Sequence, residues 1–277
     1  MNNELNLAFI GGGNMASALA SGLIGKHCGA GDVHVIDINE SVLDKWRGKG
    51  TRVALKPDAA LSERHIWVFA VKPQVLRETV ASCKPFLRPE TLVVSIAAGI
   101  SSDTIANWLG EPGTPWTRLV RCMPNTPALI AAGATGMLAL SGVSDDDKEL
   151  AQQLFSAVGQ ITWVDSDKQL DAVTALSGSG PAYVFLFLDA LIEGAIKLGL
   201  SAEQARVLAL ATLEGSTQLA AQSSETPATL RERVTSKGGT TAAALDVFNR
   251  QKFSAVVQQA MQAAYDRAAE LSSEFAK

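Results

Sequence analysis

The fold is decided near the start of this 277-residue chain by the stretch Phe9-Ile10-Gly11-Gly12-Gly13-Asn14-Met15-Ala16. An apolar run ends there in a G-x-G-x-x-A pattern that leads directly into the helical run Ser17–Ile24. Gly11 permits a tight turn, Gly13 lets the backbone approach a pyrophosphate, and the small Ala16 lets the helix sit against the strand. The phosphates would lie at the positive end of that helix. The stretch therefore predicts a strand, a glycine loop and a helix that bind a dinucleotide.

Short β-rich runs and helix-length segments alternate on both sides of this loop up to about residue 165. Alternation of this kind is typical of βαβ units around a parallel sheet, and uninterrupted apolar strands such as Ile66–Val71 indicate helices on both sheet faces. We predict an α/β fold whose residues 1–165 form a Rossmann-type, doubly wound dinucleotide-binding domain. The predicted strands are Leu5–Ile10, Val33–Asp37, Ile66–Val71, Leu92–Ala97 and Leu119–Met123.

The strand signal disappears from about residue 166 onward, and long Ala- and Leu-rich segments replace it. We predict that 166–277 form an all-helical domain for substrate binding and dimerisation, with helices at roughly 181–199, 202–222, 227–234 and 251–275. Ala182–Ile196 is apolar around almost its whole circumference, so a helix there has to be buried on all sides. A domain of this size has little interior, which favours packing against a second subunit over a helix that is central in its own monomer.

Composition and charge exclude several classes of protein. Hydrophobic residues make up 47% of the chain and charged residues 19%, which is typical of a globular protein. The net charge is −4 and no stripe of Lys and Arg is present, so we expect no nucleic-acid partner. The three cysteines, Cys28, Cys83 and Cys122, lack the paired spacing of a zinc or disulfide site, so we interpret them as reduced packing residues and expect no metal.

Neither export nor a membrane span is expected. The start, Met1–Leu5, has no basic segment followed by an apolar stretch, which favours a cytoplasmic location. The most apolar later stretch, Tyr183–Leu200, carries Asp189, Glu193 and Lys197, whose charges are costly in hydrocarbon.

An acidic residue, Asp37, ends the second predicted strand about twenty residues after the glycine loop, as in dinucleotide-binding folds. Its carboxylate would accept hydrogen bonds from the ribose hydroxyls of NADH and repel the extra phosphate of NADPH. Lys45 and Arg47 lie shortly after it and could instead reach such a phosphate, although they also fit a solvated helix face. The cofactor is therefore predicted to be NADPH or NADH, with the preference open.

Two further turns follow the third and fourth predicted strands, at the sheet edge where open α/β sheets bind ligands. We interpret Lys72, just before Pro73, as a cofactor contact rather than a catalytic acid. The complete set of predicted cofactor-binding residues is Ile10, Gly11, Gly12, Gly13, Asn14, Met15, Asp37, Ala70, Val71, Lys72, Pro73, Ala97, Ala98 and Gly99.

Two segments of the helical half differ from ordinary helix connections. In Leu176–Tyr183, small flexible residues meet Pro181 at a predicted helix start. In Val234–Thr241, hydroxyl residues and glycines precede a helix, and their backbone N–H groups could form an anion-binding site that suits a carboxylate.

With these motifs the chain resembles the pyrroline-5-carboxylate reductase family from end to end. The resemblance rests on the Gly11–Met15 loop, 70–73, 94–99, 121–127, 171–174, 177–183 and 235–241, in this order. It implies NAD(P)H-dependent reduction of the cyclic imine pyrroline-5-carboxylate to L-proline, the last step of proline biosynthesis. It also implies a helical domain that interlocks with its partner into a homodimer, often assembled further into a decamer.

The resemblance also implies roles for individual residues. Ser236, Gly239, Thr240 and Thr241 would hold the substrate carboxylate, and the Thr174 hydroxyl, the one catalytic group, would meet the ring nitrogen. The chain departs from the family at Lys237, where proline is usual, and near Asp58, where many relatives have an asparagine that contacts the cofactor.

The implied chemistry needs no strong general acid if the imine arrives protonated. In keeping with this, we interpret His27, His34 and His65 as structural, and catalysis as mostly positioning.

Two other functions share this layout. A β-hydroxyacid dehydrogenase would need a helix lysine such as Lys197 as proton donor, but Glu193 one turn away favours a surface ion pair there. A nucleotide-sensing protein without catalysis is the second alternative, against which the two intact substrate motifs argue.

Overall fold

We describe the fold from a computed structural model, which covers residues 5–275; the expectation for the start of the chain falls mostly on Met1–Glu4, outside the described residues. The strands are β1 (Leu7–Ile10), β2 (Val33–Ile36), β3 (Arg52–Ala54), β4 (Ile66–Phe69), β5 (Leu92–Ser95), β6 (Leu119–Met123), β7 (Gly133–Ala139) and β8 (Gly159–Trp163). The helices of the first part are α1 (Asn14–Leu23), α2 (Glu40–Arg47), α3 (Pro73–Cys83), α4 (Ser102–Leu109), α5 (Asp145–Ser156) and α6 (Asp167–Val173).

The later helices follow a short π-helix over Thr174–Gly178. They are α7 (Gly180–Lys197), α8 (Ala202–Gln222), α9 (Pro227–Arg233), α10 (Thr240–Arg250) and α11 (Phe253–Phe275).

The strands form one eight-stranded sheet in the order β3-β2-β1-β4-β5-β6-β7-β8. The chain moves outward from β1 to β3 and then crosses to the other side of β1, so the order reverses between β1 and β4. This reversal opens a crevice beyond the carboxyl ends of β1 and β4, where doubly wound folds bind dinucleotides. The predicted Rossmann-type topology is confirmed.

The five predicted strands are all present, but the sheet is larger and less uniform than predicted. The strands β3, β7 and β8 were not predicted, and β7 runs antiparallel to β6 although it is parallel to β8. Four of the predicted strands are one or two residues too long: β2, β4 and β5 end earlier because the chain turns there toward the ligand edge, whereas β1 begins two residues later than predicted. Only Leu119–Met123 agrees at both ends.

The strands are apolar throughout because helices cover both faces of the sheet. Leu7 and Phe9 of β1 belong to the core on one face, whereas Ala8 and Ile10 belong to the core on the other. Cys28, Cys83 and Cys122 are free and buried in these cores, as predicted. Burial raises the pKa of the Cys83 thiol to about 12, which keeps it protonated and unreactive.

The chain forms two compact units, Met1–Ser179 with Ala264–Lys277, and Gly180–Ala263. This division differs from the boundary expected at 165/166. Residues 167–179 belong to the first unit because Leu170 of α6 is fully buried and reaches Gly136 of β7 together with Val173. The end of α11 belongs to the same unit because Leu271 packs on Gly99.

The second unit consists of helices alone, and the four predicted segments each correspond to a helix within about three residues. A fifth helix, α10, had been foreseen only as the helix after the glycine loop. The surface of this unit is unusually apolar: Leu186 is 73% exposed and Leu198 90% exposed, and α7 has no buried residue. An exposed apolar surface of this extent indicates an interface with another chain.

Candidate active site

The glycine loop after β1 combines one crowded glycine with one open glycine. Gly11 has a φ of +101°, and a Cβ there would lie 2.7 Å from the carbonyl oxygen of Ala70, so no other residue fits. Gly13 precedes the first residue of α1, and a Cβ there would meet no atom within 4 Å. Gly11 is therefore required by the fold, whereas Gly13 leaves open space at a helix N-terminus, as a bound pyrophosphate would need.

Two side chains hold Gly12 between these positions. The indole nitrogen of Trp46 donates to the Gly12 carbonyl at 2.9 Å, and the Gly12 N–H donates to Oδ2 of Asp37 at 2.8 Å. Both contacts join the loop to the region of β2 and α2. Sequence reasoning missed the role of Trp46, because a tryptophan on a helix is ordinarily read as core.

The other residues predicted to bind the cofactor lie at the same sheet edge. Ala70 directly follows β4, and its N–H donates to the carbonyl of Ile10 at 2.7 Å. Lys72 is exposed at the N-cap of α3, with Pro73 as the first helical residue. The turn 97–99 follows β5, with Gly99 at a φ of +69°. The fold thus gathers all fourteen positions at or near the carboxyl ends of four parallel strands.

Thr174, the predicted catalytic residue, begins the π-helix that follows α6. Its hydroxyl donates to the Leu170 carbonyl at 2.9 Å, and its own carbonyl accepts from the Ser179 N–H at 2.8 Å. The π-helix lies against the carboxyl end of β6, where a Cβ on Gly178 would be 2.5 Å from the Cε of Met123. Thr174 therefore belongs to the same edge of the sheet as the glycine loop.

The π-helix corrects the prediction of an irregular, flexible connection before Pro181. Single-turn π-helices are rare in proteins overall, but those that occur are often at functional sites, because the inserted residue redirects a side chain or frees a backbone group. Asn125, just after β6, stabilises it: the amide nitrogen donates to the Ser177 carbonyl at 3.0 Å, and the amide oxygen accepts from the Ala134 N–H at 2.8 Å. The only sequence signal was the crowding of small residues in 177–180.

A buried ionic cluster fixes the helix that leads into Thr174. Arg121 of β6 is 2% exposed, pairs with Asp167, and lies 3.6 Å from a carboxylate oxygen of Asp171. Asp167 also accepts from the backbone and hydroxyl of Ser102. Burial raises the pKa of Asp171, although the charge of Arg121 opposes that rise. Sequence analysis gave none of these residues a role.

The predicted carboxylate-binding loop belongs to the second unit. Ser236 closes a turn by accepting from the Gly239 N–H at 3.0 Å, and Gly238 adopts a φ of +72°. Gly239 is the N-cap of α10, so Thr240 and Thr241 are its first two residues. The first N–H groups of a helix have no partner within that helix. The loop therefore presents hydroxyls and helix N–H groups together, as an anion site requires.

Comparison with known proteins matches both halves of the chain. Residues 6–99 match the family model described as NADP oxidoreductase coenzyme F420-dependent, and residues 167–271 match the model described as Pyrroline-5-carboxylate reductase dimerisation. The pyrroline-5-carboxylate reductase of Pseudomonas aeruginosa is 44% identical over 97% of this chain and 97% of its own. The chain belongs to the pyrroline-5-carboxylate reductase family.

Solved structures of this family have the same fold. A pyrroline-5-carboxylate reductase from Coxiella burnetii is 37% identical, with a TM-score of 0.89 over 98% of this chain and 99% of that one. A Plasmodium falciparum pyrroline carboxylate reductase with NADP bound is 29% identical, with a TM-score of 0.84 over 98% of this chain and 99% of that one. These matches confirm the predicted family and fold.

Asp58, near the position where the resemblance implies an asparagine that contacts the cofactor, has local structural partners in this chain. Asp58 accepts from the Ala60 N–H at 3.0 Å and lies 3.6 Å from Nε2 of His34, so it is occupied within the protein. His34 is buried, and its burial lowers its pKa, which supports a structural role. Lys197 is exposed at the end of α7, and the ion pair expected with Glu193 is not formed in the described chain. An exposed lysine does not suit the proton donor of the dehydrogenase alternative.

The contrast between Gly11 and Gly13 gives a direct test of the dinucleotide site. Gly13→Ala should leave the free energy of unfolding nearly unchanged but raise the Kd for NADH or NADPH about tenfold or more, because the new methyl group occupies the open space. Gly11→Ala should instead destabilise the fold by about 1–3 kcal/mol through strain and the clash with Ala70. Urea unfolding and titration of nicotinamide fluorescence measure the two effects. Normal cofactor binding by a folded Gly13→Ala variant would contradict the assignment.

Proposed function

We propose that this protein is a pyrroline-5-carboxylate reductase, an NAD(P)H-dependent oxidoreductase that reduces the cyclic imine to L-proline in the last step of proline biosynthesis. The full-length family match supports the reaction, and the observation that carries it is the placement of Thr174 and the glycine loop at one edge of one sheet. When bound, NAD(P)H supplies the hydride that adds to the carbon of the C=N bond. The glycine loop and the N-terminus of α1 fit its pyrophosphate.

The Thr174 hydroxyl can interact with a substrate only as a hydrogen-bond acceptor. Its single hydrogen is donated to the Leu170 carbonyl, so its oxygen is available only as an acceptor. A protonated imine nitrogen carries an N–H that can donate to this oxygen. We therefore propose that Thr174 orients the protonated imine and favours its charged form. No general acid is needed, because addition of hydride to the protonated imine gives a neutral amine directly.

The substrate carboxylate is assigned to Ser236, Gly239, Thr240 and Thr241. The partial positive charge at the N-terminus of α10 favours an anion, and the two threonine hydroxyls can donate to carboxylate oxygens. Lys237, exposed in the same loop, adds a positive charge that the proline usual in the family lacks. We expect this charge to strengthen carboxylate binding at low salt, where screening is weak.

The protein is a homo-oligomer, and its exposed apolar helices explain why. The dimerisation family model spans α6 to most of α11, and from α7 onward the single-chain surface of this segment is rich in exposed Leu, Val and Phe. The stretch Asp167–Lys197 is also long and apolar enough to cross a membrane, by length and composition only. We propose a dimer interface over α7, further assembly into a decamer, a cytoplasmic location, and neither membrane nor nucleic-acid partners.

The dimer interface can be tested with a charge placed on α7. Leu186→Glu should raise the dimer dissociation constant about 1,000-fold or more, because burying an unpaired carboxylate costs several kcal/mol. Size-exclusion chromatography with light scattering should then show monomers. Gln153→Glu adds the same charge at an exposed position of α5 and should leave the oligomer intact. An oligomeric Leu186→Glu variant would exclude α7 from the interface.

The reaction is tested by mixing the purified protein with pyrroline-5-carboxylate and either NADH or NADPH near neutral pH. We expect nicotinamide absorbance to fall and proline to form in equal amount. If NADH or NADPH is oxidised with another cyclic imine but not with pyrroline-5-carboxylate, the proposed substrate is wrong. If neither cofactor is oxidised with any imine, the proposed function is contradicted in favour of a nucleotide-sensing protein.

A further inference from the structure

We propose that this protein uses NADH in preference to NADPH, and that the fixed carboxylate of Asp37 sets that preference. The inference rests on the proposed function for its dinucleotide site, and it goes further by selecting one of two cofactors that differ only in a 2′-phosphate. It is carried by the hydrogen bonds and charges of the segment between β2 and the end of α2.

The Asp37 carboxylate is held in position from both sides. Oδ2 accepts from the Gly12 N–H at 2.8 Å, and Oδ1 accepts from the Asn39 N–H at 2.9 Å. This half-buried side chain is hydrogen-bonded both to the loop assigned to the pyrophosphate and to the chain after β2. It cannot change its rotamer without losing both bonds. A negative charge is therefore built into the site next to the glycine loop.

The hydrogen bonds that the Asp37 carboxylate can still accept suit a diol and not a phosphate. Each oxygen has lone pairs for more than one hydrogen bond, so both can still accept from hydroxyl groups. The two ribose hydroxyls of NADH are donors of that kind. The 2′-phosphate of NADPH has acceptor oxygens and negative charge, which a neighbouring carboxylate repels.

Two of the three basic side chains near this segment, Arg47 and Lys49, are already engaged within the protein; Lys45 is exposed on α2. Arg47 pairs with Glu40 at 2.6 Å and with Asp44 at 2.5 Å. Lys49 lies over the Trp46 ring, 4.7 Å from its centre. Residues 37–47 include three acidic and two basic side chains, so this segment has no surplus of positive charge.

The two donors of Ser41, at the start of α2, are also occupied. The Ser41 N–H and hydroxyl both donate to the Asn39 side chain, at 3.0 and 2.9 Å, and so cap the helix. A phosphate would have to break this cap to gain those donors, which adds to the repulsion from Asp37.

The test measures binding separately from turnover. NADH and NADPH are titrated against the purified protein by nicotinamide fluorescence without imine, and kcat/KM is then measured for each cofactor with pyrroline-5-carboxylate. We expect NADH to bind at least about tenfold more tightly at low salt, with a smaller ratio at high salt because screening weakens the repulsion.

Substitutions assign the preference to Asp37. Asp37→Ser and Asp37→Asn both remove the charge and keep an acceptor for the Gly12 N–H, so each should bring the NADH/NADPH affinity ratio to about one or below. Asn is nearly isosteric, which keeps the test valid if Ser destabilises the loop. Asp145→Ser, at an exposed position of α5, removes the same charge far along the chain and should leave the ratio unchanged.

Tighter binding of NADPH by the parent protein, or a ratio that the Asp37 variants do not move, would overturn the inference. Failure of the proposed function looks different: the binding ratio would favour NADH, but no imine would be reduced with either cofactor.

Discussion

Thr174→Val should lower kcat for imine reduction about 10- to 100-fold. This range corresponds to the loss of one hydrogen bond to a charged group, about 1.5–3 kcal/mol. The fold should survive, because valine has nearly the same shape and only the hydrogen bond to the Leu170 carbonyl is lost. Steady-state kinetics and the thermal midpoint Tm measure the two effects.

Controls separate the chemistry from the local structure. Thr174→Ser keeps the hydroxyl and should retain most of the activity. Thr79→Val removes the same type of bond from half-buried Thr79 of α3, whose hydroxyl donates to the Val75 carbonyl at 2.8 Å, and should leave kcat unchanged. A Thr174→Val enzyme that works at the parent rate would exclude this residue from catalysis.

The second large effect is expected at the buried ionic cluster. Arg121→Met should lower the free energy of unfolding by about 3–5 kcal/mol, because it leaves the buried carboxylate of Asp171 uncompensated. Urea unfolding at pH 7 measures the change. Arg267→Met removes a half-exposed pair with Glu270 and Glu274 on α11 and should cost less than about 1 kcal/mol.

The cost of Arg121→Met should depend on pH in a definite direction. Burial raises the pKa of Asp171, and loss of Arg121 removes the opposing charge. A carboxyl whose pKa is raised in the folded state contributes stability below its unfolded value, near pH 4, and loses that contribution as the pH rises through the folded value. The deficit should therefore be smaller at pH 4 than at pH 7.

A double substitution identifies the carboxylate responsible. Arg121→Met combined with Asp171→Leu removes both charges and should recover much of the lost stability, since replacing a buried pair with apolar groups is often nearly neutral. If the double variant is as unstable as Arg121→Met alone, Arg121 acts through packing or through Asp167 instead. Activity of this variant also shows whether the cluster positions Thr174, one turn beyond Asp171.

The part of the fold that could be predicted from sequence is the part with strong local signals. The glycine loop, the apolar strands β1, β2, β4, β5 and β6, and the Ala- and Leu-rich helices each follow from residues close together in the chain. The strand β3 has only three residues, and β7 (Gly133–Ala139) is rich in Gly and Ala and lacks the β-branched run typical of a strand. Such segments become strands because a neighbouring strand offers hydrogen bonds, which no local pattern shows.

The features of the site also divide into those that the sequence predicts and those that depend on tertiary contacts. The positions of the cofactor residues followed from the rule that carboxyl ends of parallel strands meet at one edge, and the substrate residues followed from the family resemblance. The support of Thr174 could not be predicted, since a π-helix depends on how one extra residue is accommodated against Met123 and Asn125. Nor could the partners of Asp37, which lie 25 positions back in the chain at Gly12 and two positions ahead at Asn39.

The sequence by itself determined the family, the Rossmann-type half, the helical half and the glycine loop, because these depend on residue type and on spacing within one turn or one strand. Only the tertiary structure decided the direction of β7, the burial of Arg121 between two carboxylates of α6, the single free role of the Thr174 hydroxyl, and the fixed charge of Asp37. Each of these depends on contacts between segments distant in sequence, and their energy exists only once the sheet has brought those segments together.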